Sequence, residues 1–221
     1  SRRVVDRYSV LQKLGRGAYG VVWKCVDKQN QDRTVAIKKI FDAFHNRTDA
    51  QRTYREVVML LGLKSHPHIV HLLEVVRASN DCDLYLVFGY METDLHAVIR
   101  AGVMSPGHRR FVAYQLLTAL KYVHSTELVH RDLKPANVLI NADCSVRLAD
   151  FGLARSVLGQ VDGNPQAPPE VRDDTLTDYI ATRWYRAPEI VLGSARYTKA
   201  VDLWSLGCVL AEAATGKPLF P

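Results

Sequence analysis

Four polar side chains lie in two neighbouring stretches, HRDLKPAN and LADFG. They are Asp132, Lys134, Asn137 and Asp150. Transfer of a phosphoryl group needs oxygen ligands for Mg²⁺ and an acceptor for the proton of the substrate hydroxyl. We interpret Asn137 and Asp150 as ligands of Mg²⁺ and Asp132 as the proton acceptor. Lys134 would neutralise charge on the moving phosphoryl group, and a chance set of unrelated loop residues would need many coincidences of spacing.

Three glycines come close together in the stretch GRGAYGVV near the start of the chain. Gly15, Gly17 and Gly20 form the pattern GxGxxG, and glycine lets a backbone approach a phosphate and offer its N–H groups. Alone, the pattern fits either a dinucleotide-binding turn or a plain tight hairpin. A dinucleotide-binding turn opens a helix, whereas the strand-like run VVWKCVD follows here. The context therefore favours a β-turn-β flap that covers a nucleotide.

A lysine interrupts the apolar alternation of the run VAIKK. Lys38 is predicted on a strand, where a lysine is usually a solvated edge charge. In the functional interpretation it binds the α- and β-phosphates of a nucleotide and is held by a carboxylate from the next helix. Glu56 is the candidate for that carboxylate.

The elements that must position these residues change in type along the chain. Period-two runs predict strands in the first part, and periodicity of three to four predicts helices in the rest. The expected strands are Tyr8–Gly15, Val21–Asp27, Thr34–Ile40, Ile69–Ala78 and Asp83–Tyr90. The expected helices are Thr48–Lys64 with Thr48 or Asp49 as cap, Gly107–Ser125 after Ser105 and Pro106, and a buried helix Lys199–Gly216 with Gly216 as C-cap. Residues 159–174 predict a long loop.

Composition narrows the class of protein. The chain has 221 residues and a net charge of +6, but its basic residues are dispersed, so we expect no nucleic-acid partner. The four cysteines show no ligand spacing, which argues against a disulfide framework or a zinc site. No apolar run is long enough for a membrane span, and the first residues lack a signal-peptide core. We expect an intracellular location, cytoplasmic or nuclear or both.

The motifs GxGxxGxV, VAIK, HRDLxxxN, DFG and APE occur in the order found in eukaryotic protein kinases, and the chain resembles that family from Tyr8 to Pro221. The resemblance implies an α+β, bilobal protein kinase fold with a β-rich N-lobe and a mostly helical C-lobe. It places the N-lobe at residues 8–90, a partial C-lobe at 91–221 and the activation segment at 150–189. ATP and Mg²⁺ are the implied cofactors.

The same resemblance assigns an ATP site. It places ATP contacts in the glycine-rich stretch, at Leu14, Gly15, Arg16, Gly17, Ala18, Tyr19 and Gly20. Val22, Ala36 and Leu139 would enclose the adenine, and Asp94 would reach the ribose. Phe88 would be the gatekeeper that narrows the pocket behind the adenine, and Met91 would belong to the hinge segment that binds its edge.

Two further stretches, METDL and TDYIATRWYRAPE, resemble the MAP kinases, in the extracellular signal-regulated group and nearest to its atypical members. Lys134 is typical of the serine/threonine class, and Arg186 of kinases that favour proline after the acceptor. We therefore expect protein substrates with Ser/Thr-Pro sites. Thr177 and Tyr179 match the T-x-Y switch of the group, phosphorylated either by an upstream MAP kinase kinase or by autophosphorylation.

The switch needs cations to bind its phosphates. By resemblance, phosphorylated Thr177 would meet Arg55, Arg131 and Arg155. Phosphorylated Tyr179 would meet Arg183 and Arg186. The alternative is that these arginines form unrelated ion pairs.

Two features depart from the family pattern. The insert at residues 159–174 lengthens the activation segment, and the chain stops at Pro221, so we expect a C-terminally truncated domain with apolar surface exposed on helix Lys199–Gly216. The truncated segment alone is expected to be unstable and could lack activity. A pseudokinase scaffold and a natural truncated isoform remain alternatives to an active kinase. The intact Lys38, Asp132, Asn137 and Asp150 argue against the scaffold.

Overall fold

The computed structural model describes residues 2–17, 20–63, 66–157, 183–194 and 198–221. The chain forms two compact units, Ser1–Glu92 and Thr93–Pro221. The first unit is rich in β-strands and the second in helices, which confirms the predicted α+β fold class. The boundary lies two residues after the predicted end of the first lobe. Among the helices of the described ranges, none is both long and apolar enough to cross a membrane.

The first unit is built on one antiparallel sheet of five strands. The strands lie in the spatial order β1-β2-β3-β5-β4. The elements of this unit are α1 (Arg2–Arg7), β1 (Tyr8–Gly17), β2 (Gly20–Asp27), β3 (Arg33–Ile40), α2 (Arg47–Gly62), β4 (Leu72–Arg77) and β5 (Leu84–Gly89). Each of the five predicted strands is therefore present.

Side chains alternate between the two faces of this sheet. On β3, Val35 and Ile37 are buried in a core with Tyr8, Cys25 and Val87. Ala36 and Lys38 point to the other face, because successive strand residues alternate in direction. Burial in the core raises the pKa of the Cys25 thiol to about 11. The alternation thus leaves one face of β3 packed in the core and places Lys38 on the other.

An ion cluster fixes the start of β1 to the sheet. The Arg7 guanidinium donates to both oxygens of Asp27, at 2.9 and 2.7 Å, and to Glu74 at 2.7 Å. Tyr8 also donates to Glu74, at 3.1 Å. The Arg7 guanidinium is the main cause that lowers the pKa of Asp27 from 3.8 to about 2. Helix α1, which supplies Arg7, was not predicted from the sequence.

The structure corrects two predicted element boundaries. Asn46 caps α2, instead of Thr48 or Asp49, because its side-chain oxygen accepts from the N–H of Asp49 at 2.8 Å. Strand β4 begins at Leu72 and not at Ile69. Ile69 is apolar and buried, but its N–H bonds back to the carbonyl of His66 in a turn.

The second unit is mainly helical, with short strands between its helices. Its elements are β6 (Thr93–Asp94), α3 (Leu95–Ala101), α4 (Pro106–Ser125), β7 (Leu128–Val129), β8 (Val138–Ile140), β9 (Val146–Leu148), β10 (Arg155–Ser156), α5 (Pro188–Val191) and α6 (Ala200–Thr215). Strands β6, β8 and β9 form one small sheet, and β7 pairs with β10. The sequence predicted α4 and α6 but none of these strands, because two or three residues carry no detectable period.

Helix α4 begins as predicted. Ser105 accepts from the N–H of His108 at 3.2 Å and, in return, donates its own N–H to the His108 ring at 3.4 Å. On its buried side, Gln115 bonds the backbone at the start of β9, where it donates to the Cys144 carbonyl at 2.8 Å and accepts the Val146 N–H at 2.9 Å. The helix therefore supports the strands that flank the candidate catalytic residues.

Helix α6 ends at Gly216, which has a left-handed φ of 76° as expected for a C-cap. Val201, Leu206 and Val209 are buried. However, Leu203 is 51% exposed and Trp204 is 40% exposed. The prediction of a helix buried on nearly all sides is wrong for this face, whereas the expected exposed apolar surface is present there.

Candidate active site

The loop between β7 and β8 brings three of the predicted catalytic side chains together. Lys134 Nζ donates to Asp132 Oδ2 at 2.7 Å, and Asn137 Nδ2 donates to the same oxygen at 2.9 Å. Asn137 also donates to the backbone carbonyl of Asp132 at 2.8 Å. The loop thus holds the Asp132 carboxylate in one orientation. Both described donors use Oδ2, which leaves Oδ1 for another hydrogen.

His130 fixes this loop from behind. Its ring accepts the Asp132 N–H on Nδ1 at 3.2 Å and contacts the Ala149 carbonyl through Nε2 at 3.0 Å. Both contacts are satisfied when the proton lies on Nε2. The imidazole is fully buried and packs edge-on against Phe151 at 4.8 Å. His130 therefore ties the Asp132 loop to the segment that begins with Ala149.

The residue that anchors this loop is Asp202 of α6, which was not predicted from the sequence. Its fully buried carboxylate accepts the backbone N–H groups of His130 and Arg131 at 2.8 and 2.9 Å. His124, in the last turn of α4, contacts the same carboxylate at 2.8 Å. The signal was an acidic residue within an apolar helix pattern, because a carboxylate is buried only when it is paired.

The two predicted metal ligands lie on neighbouring strand ends. Val138 of β8 is paired with Leu148 of β9, and the ladder continues with a bond of 2.9 Å from the Ala149 N–H to the Asn137 carbonyl. Asp150 follows directly, with a φ of +63° in the left-handed region. Only a few non-glycine residues adopt this conformation, and it is enriched at functional sites.

The donor set at these strand ends fits Mg²⁺. Asn137 uses its NH₂ group for Asp132, and no hydrogen bond in the described residues uses its Oδ1. Amide and carboxylate oxygens are the hard ligands that Mg²⁺ takes, usually one or two together with phosphate oxygens. Asn137 and Asp150 could therefore hold a magnesium–nucleotide complex. In the described ranges, no cluster of three or more His, Cys, Asp or Glu side chains is placed to bind a metal.

The predicted pair of Lys38 and Glu56 is present in the first unit. Lys38 Nζ lies 2.8 and 2.9 Å from the two carboxylate oxygens of Glu56. Glu56 is buried at 5% exposure, while a quarter of the Lys38 side chain is exposed. The pair therefore joins α2 to β3 and keeps the lysine partly accessible.

The predicted adenine and phosphate contacts of this unit share the face of the sheet opposite the core. Val22 is the cross-strand partner of Lys38, and Phe88 is the partner of Ala36. Directly opposed residues of an antiparallel pair project from the same face. Phe88 is 8% exposed, and Met91 is equally buried in the segment after β5. These cross-strand pairings place four side chains on one face of the sheet, those of Val22, Ala36, Lys38 and Phe88.

The three glycines of GRGAYGVV differ in whether the structure has room for a side chain at their positions. A Cβ on Gly20 would overlap the carbonyl oxygen of Lys39, so glycine lets β2 approach the end of β3. Gly15 and Gly17 have no atom within 4 Å of such a Cβ. Gly15 pairs with Val22 and Arg16 with Val21, which confirms a β-hairpin, and Leu14 is 40% exposed. The predicted contacts Ala18 and Tyr19 lie outside the described residues.

Two predicted nucleotide contacts of the second unit are paired in its small sheet. Asp94 of β6 lies opposite Leu139 of β8. The Asp94 carboxylate caps α3 by accepting the Ala97 N–H at 2.9 Å. A role of Asp94 toward a ribose therefore stays a prediction, and the structure gives this side chain a structural role as well.

The predicted phosphate-binding arginines are found in several elements. Arg155 is 7% exposed and donates to the Ala154 carbonyl at 3.1 Å, whereas Arg55 and Arg131 are partly exposed. The N–H of Arg186 bonds to the carbonyl of Arg183 at 3.0 Å in a turn. Thr177, Tyr179 and the insert at residues 159–174 lie outside the described residues. Phosphate binding by these arginines thus stays a prediction.

The turn that carries Arg183 and Arg186 is anchored to α6 by side chains that the motifs do not include. The Tyr185 hydroxyl donates to the buried Glu212 at 2.5 Å, and the Ser205 hydroxyl donates to the Tyr185 carbonyl at 2.7 Å. Burial and the neighbouring carboxylate raise the pKa of Tyr185. Helix α6, which holds the Asp132 loop through Asp202, therefore also holds this turn.

Comparison with known proteins agrees with this geometry. The model of the protein kinase domain family matches residues 8–221. The chain is 56% identical to extracellular signal-regulated kinase 2 of Dictyostelium discoideum, over all of the chain and 58% of that protein. It is 54% identical to mitogen-activated protein kinase 15 of Xenopus laevis, over 99% of the chain and 36% of the relative, and 53% identical to the Rattus norvegicus protein of that name, over all of the chain and 39% of the relative.

The chain thus spans 58% or less of the length of these curated relatives. Its matched region contains the Lys38–Glu56 pair, the Asp132 loop and the strand ends that carry Asn137 and Asp150. The chain belongs to the protein kinase family, and over its whole length it is similar to the MAP kinases of that family.

Proposed function

We propose that the protein is an ATP- and Mg²⁺-dependent MAP kinase that phosphorylates serine or threonine on protein substrates, preferably ahead of proline. The observation that carries this proposal is the fixed Asp132 carboxylate, with Lys134 at 2.7 Å and Asn137 at 2.9 Å. A scaffold that binds partners without chemistry does not need this arrangement. The identities to MAP kinases over the full chain support the same reaction.

Each residue has a distinct role in the proposed reaction. Asp132 accepts the proton of the substrate hydroxyl on Oδ1, because the two described donors occupy Oδ2. Lys134 places a positive charge beside the transferred group, and Asn137 presents its Oδ1 together with Asp150 as oxygen ligands. Lys38 binds phosphate oxygens while Glu56 fixes its ammonium. Bound Mg·ATP supplies the phosphoryl group and neutralises charge on it.

Two finer parts of the proposal concern selection and control. Arg186, in the turn anchored through Tyr185, favours proline after the acceptor residue. Phosphates on Thr177 and Tyr179, each adding about −1.5 to −2 charges, switch the enzyme on by binding arginines. The modifying enzyme is an upstream kinase or the protein itself. We place the protein inside the cell, in cytoplasm or nucleus, which four unpaired cysteines support.

The decisive experiment follows transfer of labelled phosphate from ATP to a protein substrate by the full-length protein. Asp132→Asn should lose at least about 1000-fold in kcat, because the substrate proton has no acceptor. Asp143→Asn is the matched control, because Asp143 is an exposed aspartate of the same unit that only caps a turn at Ser145. Equal activity of the wild type and Asp132→Asn would reject the proposed mechanism.

The switch is tested separately in the activated protein. Thr177→Ala and Tyr179→Phe should each reduce activity strongly, because one phosphate-binding group is lost. Activity that survives both substitutions would reject control through these residues while leaving the phosphotransfer reaction intact.

A further inference from the structure

One serine of this chain is itself followed by proline. Ser105 precedes Pro106, and none of the other eight prolines follows a serine or threonine. Ser105 is exposed in the connection between α3 and α4, two residues after Val103, which is 66% exposed. Its backbone is extended, with φ −69° and ψ 163°. The chain therefore presents the acceptor dipeptide that its proposed activity selects.

The length of α4 separates Ser105 from the Asp132 loop of the same molecule. Helix α4 has 20 residues and is therefore about 30 Å long at about 1.5 Å per residue. Ser105 lies before its first turn, whereas His124 in its last turn contacts Asp202, which holds the backbone of His130 and Arg131. Asp132 follows directly. The Ser105 hydroxyl thus lies far beyond hydrogen-bonding reach of its own Asp132.

We propose that Ser105 is an autophosphorylation site that is modified by a second copy of this chain. The inference rests on the proposed Ser/Thr-Pro kinase activity. In the step, the bond between the γ-phosphorus and the bridging oxygen of ATP breaks, and ADP leaves with the electron pair. The Ser105 oxygen of one molecule forms the new bond to phosphorus. Its proton passes to Asp132 of the other molecule and then to water.

The surroundings of Ser105 can accommodate the product. The Ser105 hydroxyl oxygen accepts one capping bond, from the His108 N–H, and this bond is long at 3.2 Å, so the hydroxyl is held weakly. Arg109 donates to the carbonyl of Met104, directly before Ser105, at 2.9 Å, and Arg110 is exposed in the same turn. A phosphate carrying about −1.5 to −2 charges would be attracted by these guanidiniums. Modification is therefore compatible with the fold of α4.

The test incubates the full-length protein with Mg·ATP and quantifies phosphate on Ser105 by mass spectrometry. A synthetic peptide with a single Ser-Pro acceptor serves as substrate in parallel. A tenfold increase in protein concentration should raise the initial rate of Ser105 phosphorylation per molecule about tenfold, because the encounter is bimolecular. Catalytically inactive Asp132→Asn protein should acquire the phosphate only when wild-type protein is added.

Two variants distinguish recognition of the Ser-Pro dipeptide from an effect on the structure of α4. Pro106→Ala keeps a helix-forming residue at the first position of α4 and should lower Ser105 phosphorylation at least about tenfold. Ser105→Asn keeps a good helix cap, removes the acceptor hydroxyl and should leave activity on the peptide unchanged.

The outcomes are distinguishable. If the peptide is phosphorylated but Ser105 is not, the inference fails and the proposed function stands. If neither is phosphorylated, both fail. A per-molecule rate that is independent of protein concentration would contradict transfer between molecules, and equal labelling of Pro106→Ala would contradict recognition of the Ser-Pro dipeptide.

Discussion

The ion pair of Lys38 and Glu56 fixes the position of a charge more than it stabilises the fold. Burial of an ion pair costs desolvation that roughly cancels its attraction, so such a pair adds little to folding. Here Glu56 is buried while the lysine keeps a quarter of its side chain exposed. The arrangement holds a positive charge in a defined position on the face of the sheet that carries Val22, Ala36 and Phe88.

This arrangement predicts the effect of Glu56→Gln. The substitution preserves shape but removes the charge that fixes Lys38 Nζ, so the ammonium would no longer be held for the phosphate binding that we propose for it. We expect kcat/KM for ATP to fall at least about tenfold, or about 1.4 kcal/mol of transition-state stabilisation. The measurement is steady-state kinetics with ATP as the varied substrate.

A matched control is available for this prediction. Glu127→Gln makes the same change in the pair of Glu127 with Lys199, which has a similar distance of 2.7 Å but lies more exposed to solvent. An exposed pair contributes at most about 1 kcal/mol, so kcat/KM should stay unchanged. A comparable loss in both variants would show that the Glu56 effect is not specific.

The ion cluster at the start of β1 makes a second prediction, on acid stability. The Arg7 guanidinium lowers the pKa of Asp27 from 3.8 to about 2. A lowered carboxyl pKa stabilises the fold above the ordinary value, and the contribution is lost as pH falls toward 2. The gain is about 2 kcal/mol at neutral pH, with about half of it lost by pH 3.

Asp27→Asn isolates this contribution. We expect the difference in free energy of unfolding between the wild type and Asp27→Asn, measured by urea titration, to be largest at neutral pH. It should shrink steadily as the pH is lowered from 4 toward 2. A difference that is constant over the same pH range would show that Arg7 does not perturb Asp27.

At the scale of elements, the sequence predicts the helices and strands whose apolar residues are regularly spaced, and it does not predict the shorter ones. The five strands of the first unit and helices α2, α4 and α6 were all predicted, because their apolar residues recur at regular spacing. Strands β6 to β10 have two or three residues each and leave no such signal. The start of α2 was placed near Thr48, because Asn46, Thr48 and Asp49 are all suitable caps and only the structure shows which one accepts the bond.

The residues of the candidate site also fall into those that motifs predict and those that they do not. Motif spacing identified Asp132, Lys134 and Asn137, which the structure places in contact, and it paired Lys38 with Glu56. It did not identify Asp202, because nothing in the pattern of α6 reveals that the partners are backbone N–H groups of residues 130 and 131. An acidic residue in an apolar helix pattern indicates a buried, paired carboxylate, but local sequence does not show which distant backbone groups it binds.

This helix contact carries the third prediction. Asp202→Asn replaces a carboxylate that accepts three hydrogen bonds by an amide that also presents two donors. We expect the free energy of unfolding to fall by about 3 kcal/mol and kcat to fall with it, because the Asp132 loop loses its anchor. Chemical denaturation and kinetics on the same preparation measure both.

The exposed Asp143→Asn variant is the control for this prediction as well, since it removes the same charge without a buried partner. Its stability and kcat should match the wild type. If Asp202→Asn keeps the wild-type kcat, the Asp132 loop keeps its geometry without the Asp202 carboxylate, and the prediction is wrong.

For the whole molecule, the chain combines a unit that carries Lys38 with a unit that carries Asp132, Asn137 and Asp150. The family match covers both units, from residue 8 to residue 221. The relatives are longer, so activity is best measured on full-length protein. The central claim is that the protein binds a magnesium–nucleotide complex, for which Asn137 and Asp150 of the second unit supply oxygen ligands.

Calorimetric titration of the full-length protein with ATP, in the presence and absence of Mg²⁺, tests that claim most directly. We predict saturable binding that strengthens with Mg²⁺ in the wild type and loses this Mg²⁺ dependence in Asp150→Ala. Asp132→Asn should bind Mg·ATP normally, because Asp132 acts on the substrate hydroxyl. Absence of Mg·ATP binding in the wild type, or an unchanged Mg²⁺ dependence in Asp150→Ala, would contradict the account.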